Sequence, residues 1–334
     1  MGASGARRPG NLMRVHIVGA GLIGNKRAAA LGSHDFIVSI TDPDAERRAH
    51  FTETHRDKID EQADPTPQPG DAAIIATTHD QLVPAALPFA HSGCHLLVEK
   101  PGARNPQEFT ELITATQPSA TLAIGYNHRF HPAIRELKKI SEDCPYGPVL
   151  TVRARYGHGG REGYEKEWRA SKEQAGGGEL LDQGSHLIDL TRFVAGDFTL
   201  SHAELATLFW NMEVEDNAWL LGRLPNSGRA SLHASWTEWK NLFSFEVAFT
   251  TAKVEVNGLG GSYGPESLTI FHMESGLGPP TRHYREFPPG DESWVLEWQD
   301  FTRKTTGESG SGATADDALA ILTVIQEAYR DAHH

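Results

Sequence analysis

The sequence predicts an α/β protein in two parts: an N-terminal doubly wound parallel sheet and a C-terminal α+β part with a large, mostly antiparallel open sheet. Up to about residue 147, short apolar runs alternate with alanine-rich or amphipathic segments that are long enough for crossover helices. Beyond that point, apolar and polar residues alternate with a period of two. The chain has 334 residues, more than one hydrophobic core usually supports, which favours two domains.

Five short apolar runs in the first part predict buried strands, at residues 15–18, 36–40, 72–76, 95–98 and 121–125. Strands that alternate with helices at this spacing form parallel sheets covered on both faces. The stretch 64–70 contains three prolines, which fix φ and remove backbone donors, so it predicts a loop.

Three segments of the second part, 150–156, 230–236 and 243–249, carry apolar residues at every second position. One apolar and one polar face suit an open sheet that packs on helices or pairs with another subunit. The end of the chain returns to helical spacing, with an apolar stripe over 318–329. We predict a disordered leader at 1–13 and domains at 14–147 and 148–334, the last helix being a candidate to pack back on the first domain.

The composition disfavours several classes of partner. Lysine and arginine number 31 against 44 aspartates and glutamates, and the net charge of −13 is spread along the chain. This excess of negative charge argues against nucleic acid and anionic membranes as partners. Hydrophobic residues make up 39% and charged residues 22%, as in an ordinary globular protein.

The cysteines and the N-terminus bear on the compartment. Cys94 and Cys144 are the only two cysteines, which argues against a disulfide framework and suits a reducing compartment. No apolar run approaches the roughly 18 residues of a membrane helix, and residues 1–13 lack the apolar centre of a secretion signal. We expect a cytoplasmic protein. We expect no bound metal, because His128 and His131 have no acidic or thiol partner at ligand spacing.

A glycine-rich turn follows the first apolar run and opens an alanine-rich helix. Gly19, Gly21 and Gly24, with Leu22 and Ile23 between them, form the Gly-x-Gly-x-x-Gly pattern. In this context the first glycine permits a tight turn, the second lets the backbone approach a pyrophosphate, and the third lets helix and strand pack closely. The pattern predicts a dinucleotide-binding Rossmann domain over 14–147.

Asp42, at the end of the second apolar run, bears on the choice of dinucleotide. A carboxylate at that strand end accepts hydrogen bonds from the ribose hydroxyls of NAD, whereas a 2′-phosphate would meet like charge. NAD is therefore expected, with NADP less favoured. The alternative is that Asp42 serves as a turn or helix-cap residue before Pro43, and the nearby Arg47 and Arg48 would relax the preference.

Further motifs occur in order along the chain: Ala76-Thr77-Thr78 after a strand, Glu99-Lys100-Pro101, the segment 125–130 (Gly-Tyr-Asn-His-Arg-Phe), and the glycine-rich segment 176–189 (Gly-Gly-Gly-x-Leu-x-Asp-x-Gly-x-His-x-x-Asp). Together with the glycine turn they resemble the Gfo/Idh/MocA family of oxidoreductases, named for glucose-fructose oxidoreductase, inositol dehydrogenase and rhizopine catabolism. The resemblance covers residues 14 to about 330. It implies an NAD-dependent dehydrogenase.

The resemblance implies that Lys100, Asp182 and His186 act on the substrate. The residue chemistry agrees: an imidazole can take a hydroxyl proton near neutral pH, and a lysine ammonium can polarise the oxygen as it becomes a carbonyl. On a helix, Asp182, His186 and Asp189 would share one face, and we interpret the three glycines before them as allowing close ligand approach. Which of Lys100 and His186 is the formal base stays open. The alternative for Lys100 is a charged residue on the surface, and the alternative for His186 is a histidine buried in the core.

Six further residues are candidate cofactor contacts: Thr77, Thr78, Glu99, Asn127, Trp168 and Arg169. The threonines would line the adenosine or pyrophosphate path, Glu99 and Asn127 the nicotinamide side, and the Trp168-Arg169 pair would close over nicotinamide and substrate. The sequence departs from the family at two positions. The family commonly has proline where Thr78 stands and histidine where Leu82 stands.

The loop after the first strand of the second sheet is a candidate substrate-binding segment. It carries Tyr156, His158, Arg161, Tyr164 and Lys166. Aromatic faces stack on sugar C–H surfaces, and cationic groups reach hydroxyls or phosphates. The alternative is a solvated loop.

The resemblance favours oxidation of a secondary hydroxyl, at C3, of a pyranose in a sugar nucleotide or an aminoglycoside, as in aminoglycoside biosynthesis. An inositol (cyclitol) dehydrogenase is the near alternative. An NAD-dependent glycosidase of the same fold and a non-catalytic NAD-dependent sensor are alternatives from other classes. We expect a homodimer or homotetramer formed through the C-terminal sheet.

Overall fold

The structure, a computed structural model, describes residues 12–332. The predicted leader at 1–13 lies outside these residues apart from Leu12 and Met13. Met13 is buried, and its N–H donates to Oδ1 of Asp35 at 3.3 Å. Within the described range, no helix combines the length and the apolar composition that crossing a membrane requires.

The chain forms two compact units. The first comprises the chain up to Asn127 together with Trp294–Leu319, and the second comprises His128–Ser293 together with the chain from Ala320 onward. Residues 128–147, placed with the first domain from the sequence, fall in the second unit, because helix α5 (Pro132–Asp143) packs there on α7 (Ser185–Ala195) and strand β11 (Ala252–Asn257).

The first unit is built on a six-stranded sheet. Its strands are β1 (Arg14–Val18), β2 (Phe36–Thr41), β3 (Ala72–Ile75), β4 (His95–Glu99), β5 (Leu122–Gly125) and β14 (Ala313–Thr314). Their order is β14-β5-β4-β3-β1-β2, and only the edge strand β14 runs antiparallel. The five strands predicted from apolar runs are confirmed.

Four helices of this unit connect parallel strands, as the alternation of strand and helix predicts: α1 (Leu22–Ala30), α2 (Ala45–Thr54), α3 (His79–His91) and α4 (Pro106–Ala115). A further helix, α8 (Ser293–Thr305), starts one residue before the unit resumes and precedes the antiparallel edge strand β14. Strand β1 pairs in parallel with β2 on one side and with β3 on the other, so the direction in which successive strands are added to the sheet reverses there. A crevice for ligands is expected at such a switch point, outside the carboxyl ends of the strands.

The second unit is built on an eight-stranded sheet. Its other strands are β6 (Val149–Gly157), β7 (Thr199–Ala206), β8 (Asn217–Arg223), β9 (Arg229–Ser235), β10 (Leu242–Phe249), β12 (Ser267–His272) and β13 (Thr281–Glu286). The order is β13-β12-β11-β10-β6-β9-β8-β7, and only the β6–β9 pair is parallel. The prediction of a large, mostly antiparallel sheet is confirmed.

The two-residue period predicted in this part is visible in the burial of β6. Val152, Ala154 and Tyr156 are buried, whereas Arg153 and Arg155 are exposed. The remaining helices are α6 (Lys172–Ala175), in the second unit, and the long C-terminal α9 (Ala315–Asp331), which belongs to the second unit from Ala320 onward.

Candidate active site

The glycine turn after β1 has the geometry that a dinucleotide requires. Gly19 has φ of +99°, and a Cβ there would lie 2.2 Å from the carbonyl oxygen of Ala76; a Cβ on Gly24 would lie 1.8 Å from the carbonyl oxygen of Gly19. A Cβ on Gly21 would meet no heavy atom within 4 Å. The outer glycines are therefore fixed by the fold, while the space over Gly21, at the N-terminus of α1, is open to an anion.

Two hydrophobic positions of the turn differ in exposure. Leu22, the first residue of α1, is 75% exposed, while Ile23 is partly buried. An exposed leucine beside an open glycine suits a site that an aromatic or ribose ring would cover. The residues present thus fit a dinucleotide.

Asp42 is buried beside the glycine turn. Its Oδ2 accepts the N–H of Ala20 at 2.8 Å, and its Oδ1 accepts the N–H of Asp44 at 2.9 Å. The side chain therefore fixes the turn that would bind the pyrophosphate and also acts as the turn residue that the alternative interpretation requires. The guanidinium of Arg48 donates to the backbone carbonyl of Asp42.

We predict that the protein binds NAD more tightly than NADP and that the substitution Asp42→Ser reduces the difference between the two affinities. The variant should weaken NAD binding by about 1 to 3 kcal/mol, the scale of a lost charged hydrogen bond. The measurement is the Kd of each cofactor by fluorescence titration. Asp64→Ser, at an exposed aspartate of the same unit, serves as the control. Equal affinities for the two cofactors in the unmodified protein would contradict the prediction.

The loop after β3 carries the two threonines. Thr78 stands at the N-cap position of α3, where its Oγ1 donates to Oδ1 of Asp80 at 2.6 Å, and the Oγ1 of Thr77 donates to the Thr78 carbonyl at 3.3 Å. Leu82 is fully buried one turn into the helix. At the two positions where the sequence departs from the family, the chain thus has a residue at the helix N-cap position, whose side chain makes no capping hydrogen bond, and a core residue.

The end of β4 is held by a buried ion cluster. Nε of Arg27, on α1, donates to Oε1 of Glu99 at 2.6 Å, and the same guanidinium contacts the carboxylate of Glu297 on α8. Although burial lowers the pKa of Arg27, the two carboxylates outweigh this and raise it. A Cβ on Gly125 would lie 2.4 Å from Nη2 of Arg27. Arg27 therefore holds Glu99, the residue before Lys100.

Lys100 and Asn127 follow the carboxyl ends of β4 and β5. Lys100 is half-buried and Asn127 is buried. The predicted residues of the first unit, from the glycine turn to Asn127, thus stand after successive parallel strands at one edge of the sheet, the edge at which open parallel sheets bind ligands.

In the second unit, Asp182 lies in a π-helical turn, Leu180–Gly184, that runs directly into α7. The prediction placed Asp182, His186 and Asp189 on one face of a regular helix. At Asp182 the structure has a π turn in place of the regular helix, and the shared face stays a prediction for that residue. Short π segments in helices occur frequently at functional sites. Asp189 forms a buried bidentate pair with Arg129, Nη2 to Oδ1 at 2.6 Å, which is a structural role.

Asp182 contacts one of the predicted closing residues. Its Oδ2 accepts from Nε of Arg169 at 3.1 Å, and the Arg169 guanidinium carbon lies 4.4 Å from the ring centroid of Trp168. Burial lowers the pKa of Arg169, but the charge of Asp182 outweighs it and raises the pKa. The structure therefore joins Asp182, Trp168 and Arg169 in one cluster.

His186 stacks on a second imidazole. The rings of His186 and His128 lie 3.8 Å apart at an interplanar angle of 21°, and Nε2 of His128 is hydrogen bonded to the hydroxyl of Tyr156 at 3.0 Å. Burial raises the pKa of Tyr156 well above its ordinary value, and that of the adjacent Tyr263 to about 12. His186 is thus oriented by an aromatic array whose phenols stay neutral at physiological pH.

The three glycines before the π turn have a structural reason. Gly176, with φ of +81°, ends α6; a Cβ on Gly177 would lie 1.9 Å from the hydroxyl of Tyr329, and one on Gly178 would lie 2.0 Å from the carbonyl oxygen of Glu215. The Glu215 carboxylate accepts from the N–H groups of Gly178 and Leu180 and from the Tyr329 hydroxyl. The interpretation that the glycines allow close ligand approach is therefore corrected: they admit Tyr329 and Glu215.

The candidate substrate loop folds around Tyr164, which is buried against Trp236 with ring centroids 5.1 Å apart. The His158 ring meets Tyr164 at 5.6 Å. Nη2 of Arg161 lies 2.7 Å from Oε1 of Glu167. Lys166 is exposed. The roles of these residues toward a substrate stay predictions.

Four residues that sequence reasoning did not select as site residues lie around the π turn and His186: His128, Gln183, Glu215 and Tyr263. His128 and Gln183 lie inside the motifs and were missed only as individual residues. Gln183 donates to the Tyr263 hydroxyl at 3.3 Å. Glu215 is 37 residues from Gly178 and has no motif around it, so no sequence signal marked it.

Within residues 12–332, no group of three His, Cys, Asp or Glu side chains could hold a metal ion.

Comparison with protein families assigns both parts of the chain. The oxidoreductase family with an NAD-binding Rossmann fold matches residues 13–126, and the Gfo/Idh/MocA C-terminal domain matches residues 134–255. The chain belongs to the Gfo/Idh/MocA family. The family named from the motifs is confirmed, and with it the Rossmann fold and NAD as the cofactor.

Two relatives of known name align over part of the chain. Levoglucosan dehydrogenase of Pseudarthrobacter phenanthrenivorans is 31% identical over 136 residues, 40% of this chain and 35% of that protein. D-glucoside 3-dehydrogenase of Escherichia coli is 32% identical over 108 residues, 31% of this chain and 30% of that protein. In these alignments the chain spans about a third of each relative's length.

The same architecture occurs in a solved structure. Levoglucosan dehydrogenase in complex with NADH and levoglucosan superimposes with a TM-score of 0.83 and 19% identity, over 97% of this chain and 98% of that one. At this identity the likeness shows the shared fold.

Proposed function

We propose that this Gfo/Idh/MocA protein is an NAD-dependent dehydrogenase that oxidises a secondary hydroxyl of a sugar. The observation that carries the proposal is the array around His186, in which an imidazole is oriented by His128 and Tyr156 and lies four residues from Asp182. An imidazole held in this way is suited to general-base catalysis near neutral pH.

In the proposed reaction, the substrate hydroxyl loses its proton while the hydrogen on the same carbon leaves as hydride. NAD, when bound, supplies the hydride acceptor. His186 and Lys100 share the acid–base work: one accepts the proton, and the Lys100 ammonium stabilises negative charge that develops on the oxygen.

Each cluster around this chemistry has a supporting role in the proposal. Asp182, whose carboxylate is held by Arg169, would accept a hydrogen bond from a neighbouring substrate hydroxyl. In the first unit, Arg27 fixes Glu99 and thereby the backbone that carries Lys100. The glycine turn and Asp42 would bind the dinucleotide, as the motif predicts.

The finer proposal is oxidation at C3 of a pyranose that carries a larger attachment. The sequence resemblance favours a sugar nucleotide or an aminoglycoside, and the name of the relative D-glucoside 3-dehydrogenase supports the position. We also propose a cytoplasmic homodimer or homotetramer formed through the second sheet. Its support is the open face of that sheet, where Trp219 stacks on His233 at 4.6 Å and Leu221 is exposed.

The test follows the hydride. The protein is incubated with NAD and pyranosides deuterated at C3 or at C1, and the NADH formed is examined by mass spectrometry. We expect deuterium in NADH from the C3-labelled substrate. Label that arrives only from C1 would contradict oxidation at C3. NADH that fails to accumulate while the glycosidic bond is cleaved would indicate a glycosidase, and NADH formed only from cyclitols would indicate an inositol dehydrogenase.

A further inference from the structure

We propose that the second unit contains a subsite for an uncharged aromatic ring attached to the sugar, so that aryl glycosides are the preferred substrate class. The inference rests on the proposed function and changes the expected attachment from a nucleotide or an aminoglycoside to a neutral aromatic aglycone. The subsite is an aromatic platform formed by Leu208, Phe209 and Trp239.

The platform is apolar and exposed. Leu208, Phe209 and Trp239 are 65%, 60% and 66% exposed, and the rings of Phe209 and Trp239 meet edge to face with centroids 4.7 Å apart. Contiguous exposed apolar patches on a protein mark interaction surfaces and ligand-binding grooves. The paired rings would offer a flat ligand two aromatic surfaces.

The segment that carries the platform is fixed in place. The fully buried carboxylate of Asp216 accepts the N–H groups of Leu208, Phe209 and Trp210 at 2.8, 2.8 and 2.9 Å. The indole N–H of Trp210 donates to the carbonyl of Trp236 at 3.0 Å. Phe209 is therefore held toward solvent by a buried charge, and ligand binding would pay little ordering entropy at this segment.

The platform is continuous with the candidate active site of the same unit. Tyr156, the partner of His128, is the last residue but one of β6, and the loop that follows packs on Trp239 of the platform and on Trp210: a Cβ on Gly159 would lie 3.2 Å from the Trp239 ring, and one on Gly160 would lie 2.6 Å from the Trp210 ring. The absence of side chains at these two glycines lets the loop lie against both indoles. A ring joined to a sugar in the site would thus have an aromatic surface within reach.

A further contact leads from Asp182 toward the platform. The ring of Tyr164 meets that of Trp210 at 5.6 Å, and Trp210 meets Phe209 at 5.3 Å. Tyr164 is also close enough to Asp182 for the carboxylate to act on the phenol, adding to the effect of burial, and both raise its pKa. A chain of ring contacts therefore leads from the buried Tyr164, near Asp182, through the half-buried Trp210 to the exposed Phe209.

The charged side chains between Asp182 and the platform favour an uncharged group attached to the sugar. Arg161 is paired with Glu167, and Arg169 is paired with Asp182. A diphosphate is normally bound by arginines that offer their N–H groups to it, and here both guanidiniums are already engaged by carboxylates. Trp239 itself stands between Glu238 and Lys240, of opposite charge. The platform thus matches a ring without charge.

The experiment compares phenyl and methyl glucosides, both anomers, with the unmodified protein and NAD. Stacking on two aromatic rings should raise kcat/KM for the phenyl glucoside about tenfold or more over the methyl glucoside, through KM. The ratio should fall toward one in Phe209→Ala and Trp239→Ala and should recover in Trp239→Phe. Tyr284→Ala, at an exposed tyrosine on β13, is the matched control and should keep the ratio of the unmodified protein.

Several outcomes would overturn the inference. A ratio near one in the unmodified protein would do so, and so would a strong platform-dependent preference for UDP-glucose over phenyl glucoside. Light scattering that shows an oligomer dissociating in Phe209→Ala would make the platform a subunit interface instead.

Failure of the proposed function is recognised separately, because no pyranoside would then yield NADH. In that case the binding of phenyl glucoside to the protein without NAD, measured by calorimetry, tests whether the aromatic subsite exists. Binding that is lost in Trp239→Ala and kept in Tyr284→Ala supports the aromatic subsite, and absence of binding to the unmodified protein refutes it.

Discussion

Replacing Lys100 or His186 with alanine is expected to lower kcat by about a hundredfold or more, the scale of a lost general acid or base, while NAD affinity stays nearly intact. Both side chains are assigned to the proton and the developing oxyanion, whereas the dinucleotide is expected to bind at the glycine turn and Asp42. The measurements are steady-state kcat and the Kd of NADH by fluorescence titration. An intact cofactor affinity would show that the variants fold.

Matched controls are available for both substitutions. Lys139→Ala and His91→Ala change an exposed lysine and an exposed histidine and should leave kcat unchanged. Asp182→Asn should weaken substrate binding and shift the pH profile of kcat, because a neutral amide cannot form the ion pair that Asp182 makes with Arg169. Unreduced activity in either Lys100→Ala or His186→Ala would remove that residue from the mechanism.

The parts of the fold that the sequence predicted are those set by local pattern. Buried parallel strands appear as continuous apolar runs, and the glycine turn is fixed by steric contacts within a few residues, such as Gly24 against Gly19. The strand ends could therefore be assigned, and with them the positions of Thr77, Lys100 and Asn127 at one edge of the sheet. The alternation in β6 likewise follows from neighbouring residues alone.

What could not be predicted depends on partners distant in the chain. The glycines at 177 and 178 are required by Tyr329 and Glu215, and no local pattern announces either contact. The π turn at Leu180–Gly184 has no recognised sequence signal, so the sequence predicted a regular helix at Asp182 where the structure has a π turn. Tyr164 looked like a loop residue available to a substrate because the cluster of Trp210, Val214 and Trp236 around it is assembled from later segments.

The pairing of Arg129 with Asp189 shows the same limit inside two motifs that were themselves recognised. Each residue stood in a motif, yet the bond between them joins positions 60 residues apart. It fastens the segment that carries His128 to the helix that carries His186, within the second unit. The stacking of the two imidazoles therefore depends on a buried ion pair that neither motif reveals alone.

Arg129→Met is expected to lower the free energy of unfolding by about 3 to 5 kcal/mol, because removing one member of a buried pair leaves the other charge without its main partner. Asp189 is fully buried, and Arg129 also lies over the ring of Phe193 at 4.8 Å. Methionine preserves most of the packing volume, so the loss should report on charge. The measurement is urea unfolding followed by circular dichroism at neutral pH.

Arg285→Met is the matched control, because Arg285 pairs with Glu136 in the same unit with its guanidinium 63% exposed. An exposed pair should cost less than about 1 kcal/mol. In the double variant Arg129→Met/Asp189→Leu the buried charge is gone from both sides, so much of the lost stability should return. If Arg129→Met and Arg285→Met cost the same, the pair does not fasten the His128 segment to α7. If the double variant is no more stable than the single one, the loss is due to packing and not to an isolated carboxylate.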